Sequence, residues 1–155
     1  MKFLIINPKI LRFILFFSFM LIFILSFHQY ATALEEPVRV VASISPLADL
    51  VSSIGVDQVS VHLLVPNGTS PHTFDPKPSD IKKLEQADLF FIVGLGLEMF
   101  AYDMAQAVGN DLELFELGKK IEVLNDPEEN DPEHQFGNPH VWVSLRNLSI
   151  LAESV

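Results

Sequence analysis

The fold of this chain is decided by residues 39–46, which read RVVASISP. The first six residues are mostly apolar and rich in β-branched side chains, which favours a buried strand. Ser45 and Pro46 then have the residue types preferred at the N-cap and the first position of a helix. The stretch therefore predicts a buried strand that leads directly into a helix.

The same alternation of strand and helix continues towards the C-terminus. A helix with one apolar face is predicted over 47–54, and Gly55 is expected to end it. Further strands are predicted by alternating or continuous apolar residues, and they lie at 59–65, 89–93 and, more weakly, 113–117. Further helices are predicted by capping residues and apolar spacing, and they begin at Ser79, Leu97 and Ser144.

Strands and helices thus alternate three times at the spacing of βαβ units. Such a pattern gives parallel strands, right-handed crossovers and helices on both faces of the sheet. The predicted fold class is α/β, a lobe built on a parallel sheet. In sheets of this kind, ligands bind at the carboxyl ends of the strands, in the loops that lead to the next helix.

The N-terminal 33 residues differ in composition from the rest. Three basic residues and no acid flank an apolar run over 13–27, and residues 31–33 read ATA, the small-x-small pattern of a signal-peptidase site. We expect residues 1–33 to be a cleavable signal peptide and residues 34–155 to be exported to a bacterial periplasm. As a helix the run spans about 22 Å, less than a hydrocarbon core of about 30 Å. An uncleaved anchor that starts near Ile10 is the alternative.

Charge and cysteine content exclude several classes of function. The three basic side chains of the leader leave 20 acidic and 7 basic side chains in residues 34–155, a net charge of −13. This balance argues against nucleic acid as a partner. The chain has no Cys, which excludes disulfides, thiolate zinc ligands, a Cys nucleophile and a Cys-linked lipid. The length of the exported part suits one hydrophobic core.

Two histidines lie in loops where a ligand is expected. His72 follows Pro71 in a proline-rich loop after the second strand, and His140 follows Pro139 just before the last predicted helix. Two imidazoles that meet at one sheet edge would suit a cation such as zinc. Spacing alone leaves a purely structural role for each histidine open.

The other histidines give weaker signals. His62 is expected to be a surface group on the polar face of the second strand, and His28 belongs to the leader. His134 lies in the acidic, proline-interrupted segment 126–134, which is typical of a solvated loop. The alternative is that this segment collects cations beside the site.

Motifs of other chemistries are missing from the sequence. It contains no nucleophile elbow, no Walker loop and no zinc-protease motif. The turn at 94–96, GLG, follows a strand but lacks the third glycine of a dinucleotide-binding loop. Glu98 next to it is unsuitable for a phosphate, and the adjacent carboxylates Glu128 and Glu129 give no fixed acid–base geometry.

Two longer motifs resemble those of the solute-binding proteins of zinc and manganese ABC transporters. Residues 70–80, SPHTFDPKPSD, are similar to the first-ligand loop of that family, and residues 138–142, NPHVW, are similar to its second-ligand motif. Residues 40–47, VVASISPL, and residues 84–89, LEQADL, match the family pattern in register. The resemblance covers residues 37–155.

The resemblance implies a receptor of two lobes that binds a metal ion in the cleft and delivers it to an ABC-type permease. It implies His72 and His140 as the metal ligands of the N-terminal lobe. It also implies a third histidine and a carboxylate from a C-terminal lobe, so we expect this chain to be an N-terminal part whose remaining ligands lie beyond residue 155. We expect zinc rather than manganese, and a monomer.

Other interpretations stay open. A small exported zinc-dependent hydrolase at His72 and His140 would need a carboxylate base and an open coordination position, whereas the receptor interpretation predicts no enzyme activity. A manganese-specific receptor or a surface adhesin of the same family is a further alternative, although the lack of a lipid-accepting Cys argues against surface attachment. Finally, residues 34–155 could be unable to fold alone.

Overall fold

A computed structural model describes residues 7–31, 36–109, 112–123 and 137–155. The chain divides into two units, residues 1–36 and 37–155. The first unit contains helix α1 (Pro8–Ala31), whose start is capped by Asn7, because its Oδ1 accepts the Lys9 N–H at 3.0 Å.

Helix α1 is longer than the apolar run from which it was predicted. The section Pro8–Ser26 is long and apolar enough to cross a membrane, with a mean hydropathy of 2.2 over an 18-residue window. A signal sequence near an N-terminus has the same length and composition. Cleavage after Ala33 therefore stays a prediction, and residues 32–35 lie outside the described part of the chain.

The second unit alternates strands and helices as the sequence predicts. Its strands are β1 (Val38–Ala42), β2 (Val59–Leu63), β3 (Leu89–Ile92) and β4 (Glu113–Glu116). Its helices are α2 (Ser45–Gly55), α3 (Pro78–Leu84), α4 (Phe100–Val108) and α5 (Leu145–Ala152). Short 3-10 turns lie at Val56–Gln58, Leu117–Lys120 and Val141–Val143.

The four strands form one parallel sheet in the order β2-β1-β3-β4. The predicted parallel α/β fold is therefore confirmed, including the weak fourth strand. From β1 the chain moves outward on one side to β2 and then returns to the other side as β3. Loops that leave β1 and β3 consequently run in opposite directions, which opens a crevice at the carboxyl edge between them.

Helices cover both faces of the sheet. On one face, α2 and α5 contribute Leu47, Val51 and Leu151 to a buried cluster with Val40 and Phe91. On the other face, helices α3 and α4 contribute buried side chains that pack against β1 and β3, and these are Leu84, Ala101, Met104, Val41, Phe90 and Ile92. A strand buried on both faces carries a continuous apolar run rather than an alternating one, which explains the sequence of β3.

This double coverage corrects the prediction for His62. His62 lies opposite Val41 in the register of β1 and β2, on the face that α3 and α4 cover. The side chain is half-buried, and its Nε2 is shielded from solvent and has no hydrogen-bond partner among the residues that the structure describes. Burial lowers the pKa of His62, Lys83 lowers it further, and Asp80 acts in the opposite direction. His62 is therefore not a surface group.

Two helix starts also differ from the prediction. The N-cap position of α2 is Ile44, and no side chain caps it. Helix α3 begins at Pro78 rather than after Ser79, and Asp80 Oδ2 accepts the Lys77 N–H at 3.0 Å. In both helices a proline lies in the first turn, where its missing N–H needs no acceptor.

Helix α2 ends at Gly55 as predicted, but for a different reason. A Cβ on Gly55 would lie 2.4 Å from Val59 Cγ2, so the glycine is needed because β2 packs against it. The left-handed turn after the helix is made by the next residue, Val56, with φ 48°. Valine rarely adopts this conformation because it is β-branched.

Candidate metal centre

The loop that carries His72 is attached to the protein at both ends. At its start, Leu64 N–H and Val65 N–H donate to the carbonyls of Ala42 and Ser43, at 2.9 Å each, so the chain still follows β1 beyond the end of β2. At its far end, Phe74 packs edge-on against Phe100 of α4, with ring centroids 5.1 Å apart. Prolines restrict the backbone in between. His72 is thereby held at the carboxyl edge of the sheet.

The segment that carries His140 is held by its neighbours on either side. Pro139 and Val141 are buried, and Val141 belongs to the cluster on the α2 and α5 face. The Val141 N–H donates to the Pro139 carbonyl at 2.8 Å. The residues on either side of His140 are thus buried, while His140 itself is half-buried.

The structure brings His72 and His140 together. Their ring centroids are 5.5 Å apart and their ring planes differ by 52°. Both side chains are half-buried, and Nε2 of His72 is shielded from solvent. Two imidazoles far apart in sequence therefore meet at one edge of the sheet, as the topology predicts.

Asn138 fixes the proton of the His140 ring. Its Oδ1 lies 3.0 Å from the His140 backbone N–H and 3.0 Å from His140 Nδ1. A backbone N–H only donates, so the atom it faces must be the amide oxygen, which only accepts. Nδ1 therefore carries the ring proton when the imidazole is neutral, and the lone pair lies on Nε2. Metal-binding histidines are commonly oriented in this way by an acceptor on the second nitrogen.

Trp142 also packs against the His140 ring. Their ring centroids are 5.2 Å apart in an edge-on arrangement. The indole is half-buried and packs on the cluster of the α2 and α5 face. Trp142 is the only tryptophan of the chain. It therefore both supports the ring and offers a fluorescent reporter of its surroundings.

His140 faces a shallow depression of about 170 Å³. The depression is also lined by Glu122, Asn138 and Val143. Glu122 follows the 3-10 turn after β4, and sequence reasoning did not identify it as a candidate. In the described residues, no three or more His, Asp or Glu side chains are grouped closely enough to hold a metal ion. His134 and the acidic segment 126–134 lie outside the described residues.

A second polar feature, at Glu98, lies in the crevice between β1 and β3. Glu98 is only 1% exposed. Its Oε1 accepts the Ser43 hydroxyl at 2.5 Å and the Val93 N–H at 3.0 Å, and its Oε2 accepts the Gly94 N–H at 3.0 Å. Burial raises the pKa of this carboxyl, against the opposing effect of these hydrogen bonds.

The Glu98 carboxylate joins the carboxyl ends of the two central strands, since Ser43 follows β1 and Val93 follows β3. Ser43 also accepts the Val65 N–H, at the start of the His72 loop. Sequence reasoning considered Glu98 only as an obstacle to phosphate. The available signal was an acid within an apolar, glycine-flanked segment directly after a buried strand.

Comparison with known proteins agrees with this architecture. The family described as ZnuA, zinc-uptake complex component A, periplasmic, matches residues 40–155. The chain belongs to this family. The family resemblance inferred from residues 70–80 and 138–142 is thus confirmed.

Two of the relatives that the chain matches are named for manganese. The manganese-binding lipoprotein MntA of Halalkalibacterium halodurans is 32% identical over 120 residues, which are 77% of this chain and 38% of that protein. The manganese ABC transporter substrate-binding lipoprotein PsaA of Streptococcus anginosus is 31% identical over 127 residues, 77% of this chain and 40% of that protein.

Solved structures show the same fold. A crystal structure of ZnuA matches with a TM-score of 0.68 and 28% identity, over 76% of this chain and 44% of that one. A manganese-bound periplasmic metal binding protein from Candidatus Liberibacter asiaticus matches with a TM-score of 0.66 and 27% identity, over 76% of this chain and 42% of that one. The chain spans less than half the length of these relatives.

Proposed function

We propose that this chain captures a divalent metal ion through His72 and His140 and delivers it to an ABC-type permease. The observation that carries the proposal is the 5.5 Å separation of the two imidazole rings at the carboxyl edge of the sheet. Relatives named as metal ABC transporter substrate-binding proteins support the same role. The function is capture rather than catalysis, since the matching family is that of an uptake component.

The distance between the rings suits a shared ion. A zinc–nitrogen bond is about 2.0–2.1 Å long, so two imidazoles on one tetrahedral zinc have ring centres about 5 Å apart. The observed separation is 5.5 Å. The observed separation is therefore close to the separation that a shared ion requires.

Zinc is the proposed metal, in preference to manganese. Imidazole nitrogen suits zinc, whereas manganese favours carboxylate and water oxygen, and a given site generally binds zinc more tightly than manganese. The two side chains that meet in this site are both imidazoles. The names of the relatives include both metals, so the preference is argued from the donor atoms.

Export is part of the proposal. Residues 1–33 act as a cleavable signal peptide, and residues 34–155 work in the periplasm. Support comes from the apolar helix Pro8–Ser26 at the N-terminus and from the family description, which is that of a periplasmic component.

Titration of the full chain in detergent micelles tests the ligands, with Trp142 fluorescence as the signal. We expect zinc to change the emission with micromolar or weaker affinity, because two imidazoles do not close a tetrahedral shell. His72→Ala and His140→Ala should each weaken zinc binding at least tenfold. His62→Ala is the matched control, since this half-buried imidazole lies on the other face of the sheet, and it should bind zinc like the unmodified chain.

Two results would contradict the proposal. If both single variants titrate like the unmodified chain, the ligand assignment is wrong. If manganese binds as tightly as zinc in the same titration, the preference for zinc is wrong, while capture of a divalent ion stands.

A further inference from the structure

The Glu98 carboxylate is connected to the start of the loop that carries His72 through a single residue, Ser43. The Ser43 hydroxyl donates to Glu98 Oε1, and the Ser43 carbonyl accepts the Val65 N–H at 2.9 Å. Ser43 and Glu98 are both buried, with exposed fractions of 0% and 1%, so bulk water does not compete for the bond between them. The point at which the His72 loop leaves the sheet therefore depends on Glu98.

The turn that contains Glu98 also contacts the chain on the other side of His72. Two residues after Glu98, Phe100 packs edge-on against Phe74, with ring centroids 5.1 Å apart. Phe74 itself is two residues after His72. One short segment, the turn 94–100, is thus connected to the His72 loop both before and after the histidine.

The shape of the turn 94–100 is enforced by side-chain contacts rather than by backbone preference. Leu95 has a φ of 55°, a conformation that leucine rarely adopts. Such a conformation persists only where the surroundings hold it in place. Here the two carboxylate oxygens of Glu98 accept the N–H groups of Val93 and Gly94, at 3.0 Å each, directly before Leu95.

We propose that Glu98 is a positioning residue for metal capture, which keeps the His72 imidazole beside that of His140. The inference rests on the proposed function, because it concerns the same metal site. The two ring centroids are 5.5 Å apart only while the His72 loop keeps its place. A loop that is held in place before the ion arrives loses little conformational entropy on binding. Without Glu98 the ion itself has to order the loop, and its affinity falls.

Titration of the full chain with zinc chloride in detergent micelles, followed by Trp142 fluorescence, tests this role. Glu98→Ala should weaken zinc binding about 3- to 30-fold, the range typical of residues coupled to a site that they do not form. Ser43→Ala removes one hydrogen bond of the connection and should weaken binding in the same direction, so the test does not depend on the folding of Glu98→Ala. Glu98→Gln should recover most of the lost affinity, because its amide oxygen can still accept the Ser43 hydroxyl.

Leu112→Ala is the matched control for a loss of stability. Leu112 is buried, at 8% exposed, and directly precedes β4, at the opposite edge of the sheet from His72. The cavity left by its side chain destabilises the same unit. This control should nevertheless bind zinc like the unmodified chain.

The His72→Ala background separates positioning from a general loosening of the lobe. In this background the loop carries no ligand, so Ser43→Ala should cause no further loss of zinc affinity. A loosening of the whole lobe would instead weaken the residual binding at His140 as well. The double-mutant cycle therefore measures whether the effect of Ser43→Ala is transmitted through His72.

The outcomes distinguish the inference from the function on which it rests. Zinc affinities of Ser43→Ala and Glu98→Ala that match that of the unmodified chain overturn the positioning role and leave metal capture in place. A loss of affinity that persists in the His72→Ala background, or one that is equally large in Leu112→Ala, also overturns it. No zinc binding by the unmodified chain overturns both.

Discussion

Replacement of Glu98 by alanine should strongly destabilise the second unit. The Glu98 side chain is 1% exposed and accepts hydrogen bonds from Ser43, Val93 and Gly94. Alanine removes the acceptor of all three donors at once. The two central strands would then lose the side chain that joins their carboxyl ends.

The magnitude follows from counting the donors that lose their acceptor. A buried polar group left without a partner costs about 1–3 kcal/mol. Three such groups, with some relief from water that enters the vacated space, give a loss of about 3–5 kcal/mol in the free energy of unfolding. That is a large share of the roughly 5–15 kcal/mol that stabilises a typical protein. Glu98→Gln keeps one oxygen and should cost about 1–2 kcal/mol, because only one donor then loses its acceptor.

Urea unfolding followed by Trp142 fluorescence measures this effect, because the only tryptophan lies in the second unit. The full chain is unfolded in micelles at pH 7 with EDTA present. Glu85→Ala is the control, since Glu85 is exposed, and it should change the free energy of unfolding by less than about 0.5 kcal/mol. A loss below about 1 kcal/mol for Glu98→Ala would refute the role of Glu98 as a buried link between strands.

Three further measurements test other parts of the structure. Burial raises the pKa of Glu98 above its ordinary value of 4.5, so the folded chain holds this proton to higher pH than the unfolded chain. The free energy of unfolding of the unmodified chain, relative to that of Glu98→Gln, should therefore fall as the pH rises above 4.5. A difference in stability that does not change with pH would contradict the raised pKa. Val56→Gly should stabilise the chain by about 0.5–1 kcal/mol in urea unfolding, because Val56 has φ 48°, which strains valine but not glycine, and its side chain is 67% exposed. A loss of stability would argue against that backbone conformation. Asn138→Ala should weaken zinc binding by about 10- to 100-fold without loss of stability, because His140 Nδ1 loses its acceptor; unchanged affinity would show that the ring does not need this bond.

The main elements could be predicted from the sequence because their patterns are local. Residues 39–46 place a strand and a helix start within eight positions, and the structure has β1 and α2 there. The boundaries were less predictable. Helix α4 begins at Phe100 rather than Leu97, because Gly94, Leu95 and Gly96 all have positive φ and form a turn first. Leu97 is buried in the core without belonging to the helix.

The predictions that failed concern what covers a side chain. The alternation in β2 correctly places His62 on the opposite face of the strand from Val61 and Leu63. It does not show that α3 and α4 cover the face on which His62 lies. The same limit applies to Glu98. An acid after a buried strand is usually exposed, and only the order β2-β1-β3-β4 puts it beside Ser43, in the crevice between the central strands.

The motif NPHVW at 138–142 shows why the candidate site could be found from sequence at all. Four of its residues act on the fifth: Asn138 accepts the ring proton of His140, Pro139 and Val141 bury the backbone on either side, and Trp142 packs against the ring. None of these contacts involves a metal ion. The orientation of the imidazole is therefore set by the folding of the lobe. A metal ion that binds here meets a ring that is already ordered, so binding loses little side-chain entropy.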